Sequence, residues 1–226
     1  RTPAGCPIPP GWTNVMVATT RGETHQAIGL DAKGRKVYIR KPIAIKHSSE
    51  RKFSRLKSFI KDMPKLIKRI DRDSKRGVEE AKVMRLIYQT GFRVGSNADT
   101  KAKVKAYGAS TLLGQHVEIN GSIINFDFIA KKGVRSQKTI SDSELAKSFQ
   151  GKGKTEPLFN TDYRSVSQYM SRLSRKYLVK DFRLYRGTKT AMEIVKEMPP
   201  PTSIKEYKGM RNAVGDAVAK ELGNTR

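Results

Sequence analysis

Two turn signals between residues 116 and 140 separate three short runs of β-forming side chains. The first signal is Asn120-Gly121, which predicts a two-residue hairpin turn of type I′. The second is the segment 131–133, after which residues 134–140 return as a third strand. The sequence therefore predicts a three-stranded antiparallel meander, and it places Lys131 at a hairpin tip, where a charged side chain can reach out from a fixed frame.

Apolar periodicity predicts a mainly helical chain around this meander. Residues 53–70 repeat apolar side chains at steps of three and four, which predicts a helix that Pro64 starts, kinks or splits. The buried stripe of that helix is predicted to be Phe53, Leu56, Ile60, Met63, Ile67 and Ile70. Further helices are predicted at 77–92, 141–148, 162–177, 181–195 and 204–222.

The first 42 residues have a different character, because 12–18, 26–30 and 36–40 read as strands around turns. The predicted fold class is therefore α+β. We expect a small β-rich N-terminal domain at 1–58 and a mainly α-helical domain at 59–226 that holds the meander.

Positive charge dominates the chain, which has 46 Lys and Arg against 21 Asp and Glu and a formal net charge of +25. Residues 41–76 alone carry a net +9. Such runs are commonly solvated helix faces, but a surplus of this size favours contact with phosphates. Lys36, Tyr38 and Arg40 share one face of a predicted strand because side chains alternate, and with Lys41 they form a candidate DNA-binding surface. A solvated sheet face is the alternative.

Several classes of site are excluded by the sequence. No apolar run reaches the roughly 18–20 residues of a membrane span. A single cysteine, Cys6, excludes an internal disulfide framework and a cysteine-based zinc site. His25, His47 and His116 are not spaced like metal ligands, and no phosphate-binding glycine loop or Ser/His/Asp pattern is present. We expect no metal site, and the cysteine content fits a reducing, intracellular compartment.

Three basic residues lie where predicted elements end, turn or begin: Arg93 at a helix end, Lys131 at a hairpin tip and Arg183 early in a helix. Arginine is always charged and its planar fork binds phosphate oxygens in pairs. Lysine can release its proton and so act as a general acid. Each residue alone is weak evidence among so many basic side chains.

Six segments, in order along the chain, resemble the small type IB DNA topoisomerases of poxviruses and bacteria. They are IPPGWT at 8–13, GLDAKGRKVY at 29–38, TGFRVG at 90–95, YGASTLLGQHV at 107–117, FDFIAKKG at 126–133 and KDFR at 180–183. The segment AKELGNT at 219–225 is similar to the family's L-G-[HN]-T stretch. Many members have histidine where this chain has Asn224, which can donate a hydrogen bond but cannot carry charge.

The resemblance implies a mainly α-helical catalytic domain of the tyrosine recombinase and type IB topoisomerase type, closing with the N-terminal domain as a clamp around double-stranded DNA. It implies a monomer in a prokaryotic cytoplasm or nucleoid, or associated with a virus. The implied reaction is transesterification through a 3′-phosphotyrosyl link, with no ATP, metal or other cofactor. Arg93 and Arg183 would hold non-bridging oxygens, and Asn224 would donate to a phosphate oxygen. Lys131 would protonate the 5′ oxygen, with Lys132 as its adjacent competitor and a further DNA contact.

The family's nucleophilic tyrosine follows the segment of Asn224 by several residues, and we expect it beyond Arg226. The internal alternatives are Tyr88 and Tyr185, which look like helix-packing residues, and Tyr207. Tyr207 precedes Asn224, whereas the family's tyrosine follows the corresponding segment. We also expect both ends of the chain to be cut, since it begins with arginine rather than methionine and stops at Arg226, directly after an apolar helical stretch.

Two alternatives to a topoisomerase stay open. A tyrosine recombinase or integrase shares the catalytic residue set, although the segment at 8–13 argues against it. A catalytically silent DNA-binding module is the second alternative.

Overall fold

Two antiparallel three-stranded sheets and six α helices make up the part of the chain that the computed structural model describes, namely residue 2 and residues 5–19, 24–97 and 104–224. The predicted α+β class is confirmed. The chain divides into two compact units, Arg1–Arg55 and Leu56–Arg226.

The first unit contains a sheet of three consecutive strands in the order β1-β2-β3, close to the predicted positions. The strands are β1 at Thr13–Val17, β2 at His25–Leu30 and β3 at Lys36–Arg40. The turn between the last two strands is closed by Asp31, whose Oδ1 accepts hydrogen bonds from the amides of Lys33 and Arg35 at 2.9 Å. Gly29 lies so close to Trp12 that a Cβ there would be 2.9 Å from the indole ring. This packing joins Trp12, in the segment at 8–13, to Gly29, in the segment at 29–38.

Helix α1 runs without interruption over Pro42–Lys75. The prediction that Pro64 starts or splits this helix is wrong. A proline inside a helix removes one hydrogen bond and costs about 3 kcal/mol, but the turns on either side of it are anchored in the core by Phe59 and Ile70, which are fully buried.

The buried face of α1 also differs from the predicted stripe. Leu56, Phe59, Leu66 and Ile70 are buried, whereas Phe53 and Ile60 are exposed. The core-facing side is set by aromatic partners far along the chain, since the ring of Phe59 packs edge-on against Tyr177 and Phe182.

The other predicted helices are present, the last one with the predicted ends and the rest with shifted ends. They are α2 at Glu79–Thr90, α3 at Ser143–Phe149, α4 at Tyr163–Leu173, α5 at Val179–Glu197 and α6 at Ile204–Leu222. Helix α3 begins after Asp142 rather than at Ser141, because the Asp142 carboxylate caps it by accepting from the amides of Glu144 and Leu145. Within the described part of the chain, no helix has both the length and the apolarity to cross a membrane.

The predicted meander forms the second sheet, with β4 at Val117–Asn120, β5 at Ile123–Ile129 and β6 at Arg135–Ser141. Its first turn is not the predicted type I′ turn on Asn120-Gly121. Asn120 pairs with Ile123, so the turn residues are Gly121 and Ser122, and of these Gly121 has a φ of +60°. A positive φ at the first central residue alone is the pattern of a type II′ turn.

Apolar pairing explains this register. The observed pairing sets Val117 opposite Phe126 and Ile119 opposite Ile124. Such cross-strand pairs contribute roughly 0.2–1 kcal/mol each relative to alanine, whereas a turn centred on Asn120-Gly121 would have set Ile119 opposite Ser122. The register therefore follows the buried face of the sheet rather than the local turn signal.

A chain of edge-on phenylalanine rings joins this sheet to the helices. Phe92 contacts Phe126 and Phe128 at centroid distances of 5.4 and 4.9 Å, and Phe149 contacts Phe126 and Phe159. Because Phe92 anchors the segment after α2, the adjacent Arg93 is left at the surface.

Candidate active site

The side chain of Arg183, in the second turn of α5, joins the C-terminal ends of two other helices. Its Nη1 donates to the carbonyl oxygen of Gly91, after α2, at 2.5 Å. Its Nη2 donates to the carbonyl oxygen of Leu222, at the end of α6, at 2.6 Å. The same Nη2 is 2.8 Å from Oδ1 of Asn224. Three acceptors from two helix ends thus fix the guanidinium.

The end of α6 is built to supply such acceptors, because the last four carbonyls of a helix have no partner within it. Gly223 adopts a left-handed φ of +57°, and its amide donates to the carbonyl of Lys220. The amide of Asn224 donates to the carbonyl of Ala219 at 2.8 Å. This is a Schellman cap, and it turns the chain so that Asn224 lies next to Arg183 while the carbonyl of Leu222 is left for the arginine.

The end of α2 supplies the second arginine. Gly91 has a φ of +73° and its amide donates to the carbonyl of Ile87, which ends the helix. Two residues later, Nη2 of Arg93 donates to Oδ1 of Asn224 at 2.9 Å. The structure therefore brings together three of the four predicted catalytic residues, Arg93, Arg183 and Asn224. Both contacts use the amide oxygen of Asn224, and neither uses its NH₂ group.

Two positive charges face one another at this amide oxygen. Burial, together with the nearby charge of Arg93, lowers the pKa of the Arg183 guanidinium to about 10, so it stays protonated at neutral pH. Among the described residues, no carboxylate forms an ion pair with Arg93 or Arg183. An anion placed between the two arginines would relieve their repulsion, so the pair is chemically suited to hold a phosphate.

Lys131 and Lys132 lie apart from this cluster, in the tight turn Lys131–Gly133 between β5 and β6. Both side chains are exposed, and Lys132 has a positive φ of 69°. No hydrogen bond or ion pair among the described residues joins Lys131 to the arginines. The hairpin below the turn is held by Arg135, which donates from Nε and Nη2 to the two carboxylate oxygens of Asp127 at 2.8 and 2.5 Å. Lys131 is thus carried on a braced hairpin, in the turn that the sequence indicates.

The candidate DNA-binding residues of the first unit lie on and after β3. Lys36, Tyr38 and Arg40 are exposed on one face of the strand, as alternation requires. The Tyr38 ring lies 5.0 Å from the ring of His25 and remains 47% exposed. Lys41 follows directly and is partly buried. Contact of these residues with DNA stays a prediction.

Sequence reasoning missed three charged residues beside the cluster: Lys138, Arg186 and Glu221. Of these, Arg186 had a usable signal, because it lies three residues after Arg183 and so shares its face of α5. Lys138 and Glu221 are 83 residues apart, and no local pattern links them.

Of the internal tyrosines considered as nucleophiles, two make other contacts and the third lies far from Asn224 along α6. The Tyr88 hydroxyl donates to Asp71 at 2.6 Å, and the Tyr185 ring packs near Phe59. Tyr207 lies in the first turn of α6, and a helix rise of 1.5 Å per residue puts it about 22 Å from the end of the helix that carries Asn224.

Comparison with known proteins agrees with these features. Residues 42–226 match the family described as the catalytic core of eukaryotic DNA topoisomerase I. The DNA topoisomerase 1B of Acanthamoeba polyphaga mimivirus is 27% identical over 243 residues, which cover 96% of this chain and 72% of the relative. The matched region holds the arginine pair, Asn224 and Lys131. The resemblance to type IB topoisomerases is confirmed, and the chain belongs to the DNA topoisomerase I catalytic-core family, so it is a type I DNA topoisomerase.

Proposed function

We propose that the protein relaxes supercoiled duplex DNA by cutting one strand through a 3′-phosphotyrosyl intermediate and then rejoining it. The observation that carries this proposal is the convergence of Arg93, Arg183 and Asn224 at the joined ends of α2 and α6. Two fixed cations beside an amide provide what a phosphate needs when negative charge builds on its oxygens.

In the proposed reaction a tyrosine oxygen attacks the phosphorus, the new P–O bond to tyrosine forms, and the bond to the 5′ oxygen breaks. Arg93 and Arg183 hold the non-bridging oxygens, and the NH₂ group of Asn224 donates to one of them. The tyrosine gives up its proton, and the departing 5′ oxygen receives one. Since one phosphodiester replaces another, the bond energy is kept, and the reverse reaction reseals the strand without ATP. The arginines and lysine supply the positive charge, so this chemistry requires no metal ion.

Lys131 is the proposed donor of the proton to the 5′ oxygen, with Lys132 as the competing candidate. Support comes from its place on a hairpin braced by Arg135 and Asp127. An exposed lysine at a tight turn can approach bound DNA, whereas an arginine keeps its charge at neutral pH and does not release a proton readily.

The remaining positive charge is proposed to hold duplex DNA. Residues 41–76 carry a net +9, and Lys36, Tyr38, Arg40 and Lys41 add a second basic surface in the first unit. These contacts to the backbone would fix the register of the duplex without reading its sequence. We further propose that the second unit has the tyrosine-recombinase type of catalytic fold and that the protein acts as a monomer.

A plasmid assay tests the proposal against its rivals. Full-length protein is incubated with negatively supercoiled plasmid in EDTA and without ATP, and in parallel with DNA that carries paired candidate sites. We expect a ladder of relaxed topoisomers and a phenol-resistant protein–DNA adduct, with no exchange between sites. Recombined products would favour a recombinase. Tight DNA binding with neither relaxation nor adduct would favour a silent binding module.

A further inference from the structure

Glu221, in the last turn of α6, lies between two basic side chains from different elements. Nζ of Lys138, in β6, donates to Oε1 of Glu221 at 2.8 Å. Nε of Arg186, in α5, donates to the same oxygen. The Glu221 carboxylate therefore ties α6 to the sheet and to α5 at the same time, three residues before Asn224.

Arg186 reaches beyond Glu221 to α2. Its Nη1 donates to the carbonyl oxygen of Gln89, in the last turn of that helix. Arg183 and Arg186 thus bridge the same two helix ends from successive turns of α5. The approach is close, because a Cβ at Gly91 would lie 2.9 Å from Cδ of Arg186.

Lys138 completes the cap of α6. Its Nζ also donates to the backbone carbonyl of Glu221 at 3.2 Å. With the two bonds of the Schellman cap and the bond from Arg183 to Leu222, the four terminal carbonyls of α6 all have partners. Cations suit this position, because the C-terminal end of a helix carries partial negative charge.

The ionisation of this group follows from its surroundings. Burial raises the pKa of the Glu221 carboxyl, but the hydrogen bonds from Lys138 and Arg186 outweigh it and hold that pKa below its usual range. Burial lowers the pKa of Lys138, and the charges of Arg186 and Arg183 act in the same direction. The negative charge of Glu221 therefore offsets the positive charges of Lys138, Arg183 and Arg186.

We propose that Glu221 is a positioning residue for DNA cleavage: by binding Lys138 and Arg186 it fixes the last turn of α6, and with it the placement of Asn224 against Arg93 and Arg183. This inference rests on the proposed function, since the reaction is the one in which those three residues hold the scissile phosphate. Glu221 itself acts through its neighbours and touches no reacting atom. A displacement of about 1 Å in such a site can lower a rate about 100-fold.

The test uses Glu221→Gln in the full-length protein, which keeps the shape of the side chain and removes its charge. Single-turnover cleavage of a duplex oligonucleotide is expected to slow about 10- to 100-fold. The Kd for the duplex should stay within about 3-fold, because one position is a small share of many backbone contacts. Glu193→Gln is the matched control, since Glu193 is an exposed carboxylate on α5 that pairs with Lys189 away from the cluster. It should leave both quantities unchanged.

A second pair of variants tests whether Lys138 and Glu221 act as one unit. Lys138→Met and the double variant Lys138→Met/Glu221→Gln are assayed in the same way. If they act as a unit, the double variant is no slower than the slower single variant. Rate losses that multiply would contradict the proposal.

Amide hydrogen exchange gives a readout that needs no activity. The amides of Gly223 and Asn224 should exchange at least about 10-fold faster in Glu221→Gln, because their cap loosens, while amides of α2 keep their protection. If wild-type protein forms no adduct, the proposed function fails, and exchange still tests the cap. If wild type cleaves and Glu221→Gln cleaves equally fast, the positioning role is overturned alone. Faster exchange throughout the second unit would also overturn it, since Glu221 would then be a general stabilising residue.

Discussion

At the scale of single residues, the amide oxygen of Asn224 accepts hydrogen bonds from two arginines, one that follows α2 and one in α5. Histidine at this position could carry a charge, whereas asparagine donates only as a neutral group. Among the described residues, the positive charges that contact Asn224 are those of Arg93 and Arg183. The proton for the departing 5′ oxygen is therefore proposed to come from a residue outside this cluster.

Lys131→Ala is expected to slow cleavage of ordinary duplex DNA about 10²- to 10⁴-fold, which is the usual contribution of a general acid. Duplex affinity should hold, because one phosphate contact among many is lost. The measurement pairs single-turnover cleavage with a binding isotherm at the same salt concentration.

A substrate in which sulfur replaces the bridging 5′ oxygen sharpens this test. A thiol has a pKa of about 8.5, so it leaves without a donated proton, and Lys131→Ala should then cleave nearly as fast as wild type. Lys132→Ala is the control and should behave as wild type on both substrates. If the two variants exchange behaviour, Lys132 is the acid; if Lys131→Ala loses binding instead, Lys131 is an affinity residue.

Asp142 offers a residue-scale test of stability. Its buried carboxylate accepts from Nε of Arg85 at 2.5 Å and from Nε2 of Gln89 at 2.6 Å, and it also caps α3. Breaking such a buried pair costs about 3 kcal/mol, so Asp142→Asn should lower the urea midpoint clearly. Asp162→Asn is the control, because Asp162 caps α4 from an exposed position and asparagine caps as well. It should not change the midpoint.

The ion pair of Asp142 with Arg85 also predicts how the free energy of unfolding depends on pH. Burial raises the pKa of Asp142, but the bonds from Arg85 and the cap amides outweigh it, so its folded pKa is lowered. Its stabilisation is therefore present above the ordinary aspartate pKa of about 3.9 and is lost as pH falls through the lower folded value. Unfolding free energies between pH 7 and pH 2 should fall less steeply for Asp142→Asn than for wild type. Equal slopes would contradict this role.

At the scale of elements, helix ends rather than helix faces build the site. Gly91 ends α2 in a left-handed conformation, directly beneath Arg186. An L-residue there is strained by about 1–2 kcal/mol, and its Cβ also meets the arginine.

Gly91→Ala should therefore lose both stability and cleavage rate. Gly77→Ala is a close control, because Gly77 has a φ of +86° with open space where a Cβ would stand. Both variants should lose thermal stability, measured by calorimetry, with the larger loss for Gly91→Ala, and only Gly91→Ala should cleave more slowly. Equal cleavage rates in the two variants would show that the contact with Arg186 does not matter.

Element positions were largely readable from the sequence because helix and strand periods are local. The face of α1 was not, since Phe59 is held by Tyr177 and Phe182, more than a hundred residues away. Likewise, Arg93, Arg183 and Asn224 stood in family-like segments and could be named. Glu221, Lys138 and Arg186 meet only after folding, so no local pattern could show that the three side chains act together.

At the scale of the whole molecule, positive charge is spread over both units. Residues 1–55 hold 11 Lys and Arg against 3 Asp and Glu, and residues 56–226 hold 35 against 18, which are net charges of +8 and +17. A charge distributed in this way favours many phosphate contacts rather than one basic patch.

Duplex binding should therefore weaken steeply with salt. Six or more phosphate contacts would lower affinity at least about 10³-fold between 50 and 200 mM salt. Fluorescence anisotropy with a labelled duplex measures this slope. Cleavage at saturating protein should change far less, because the DNA is already bound and Arg183 is partly buried. A nearly flat binding slope would contradict the proposed role of the surplus charge.

The most direct test of the central claim is to identify the chemical link in the protein–DNA adduct. Full-length protein is trapped on duplex DNA in EDTA without ATP, digested, and analysed by mass spectrometry beside Arg183→Ala. The account predicts a tyrosine joined to a 3′ phosphate, a free 5′ hydroxyl on the other fragment, and no adduct in the variant. A link to a 5′ phosphate, or an unchanged yield in Arg183→Ala, would contradict it.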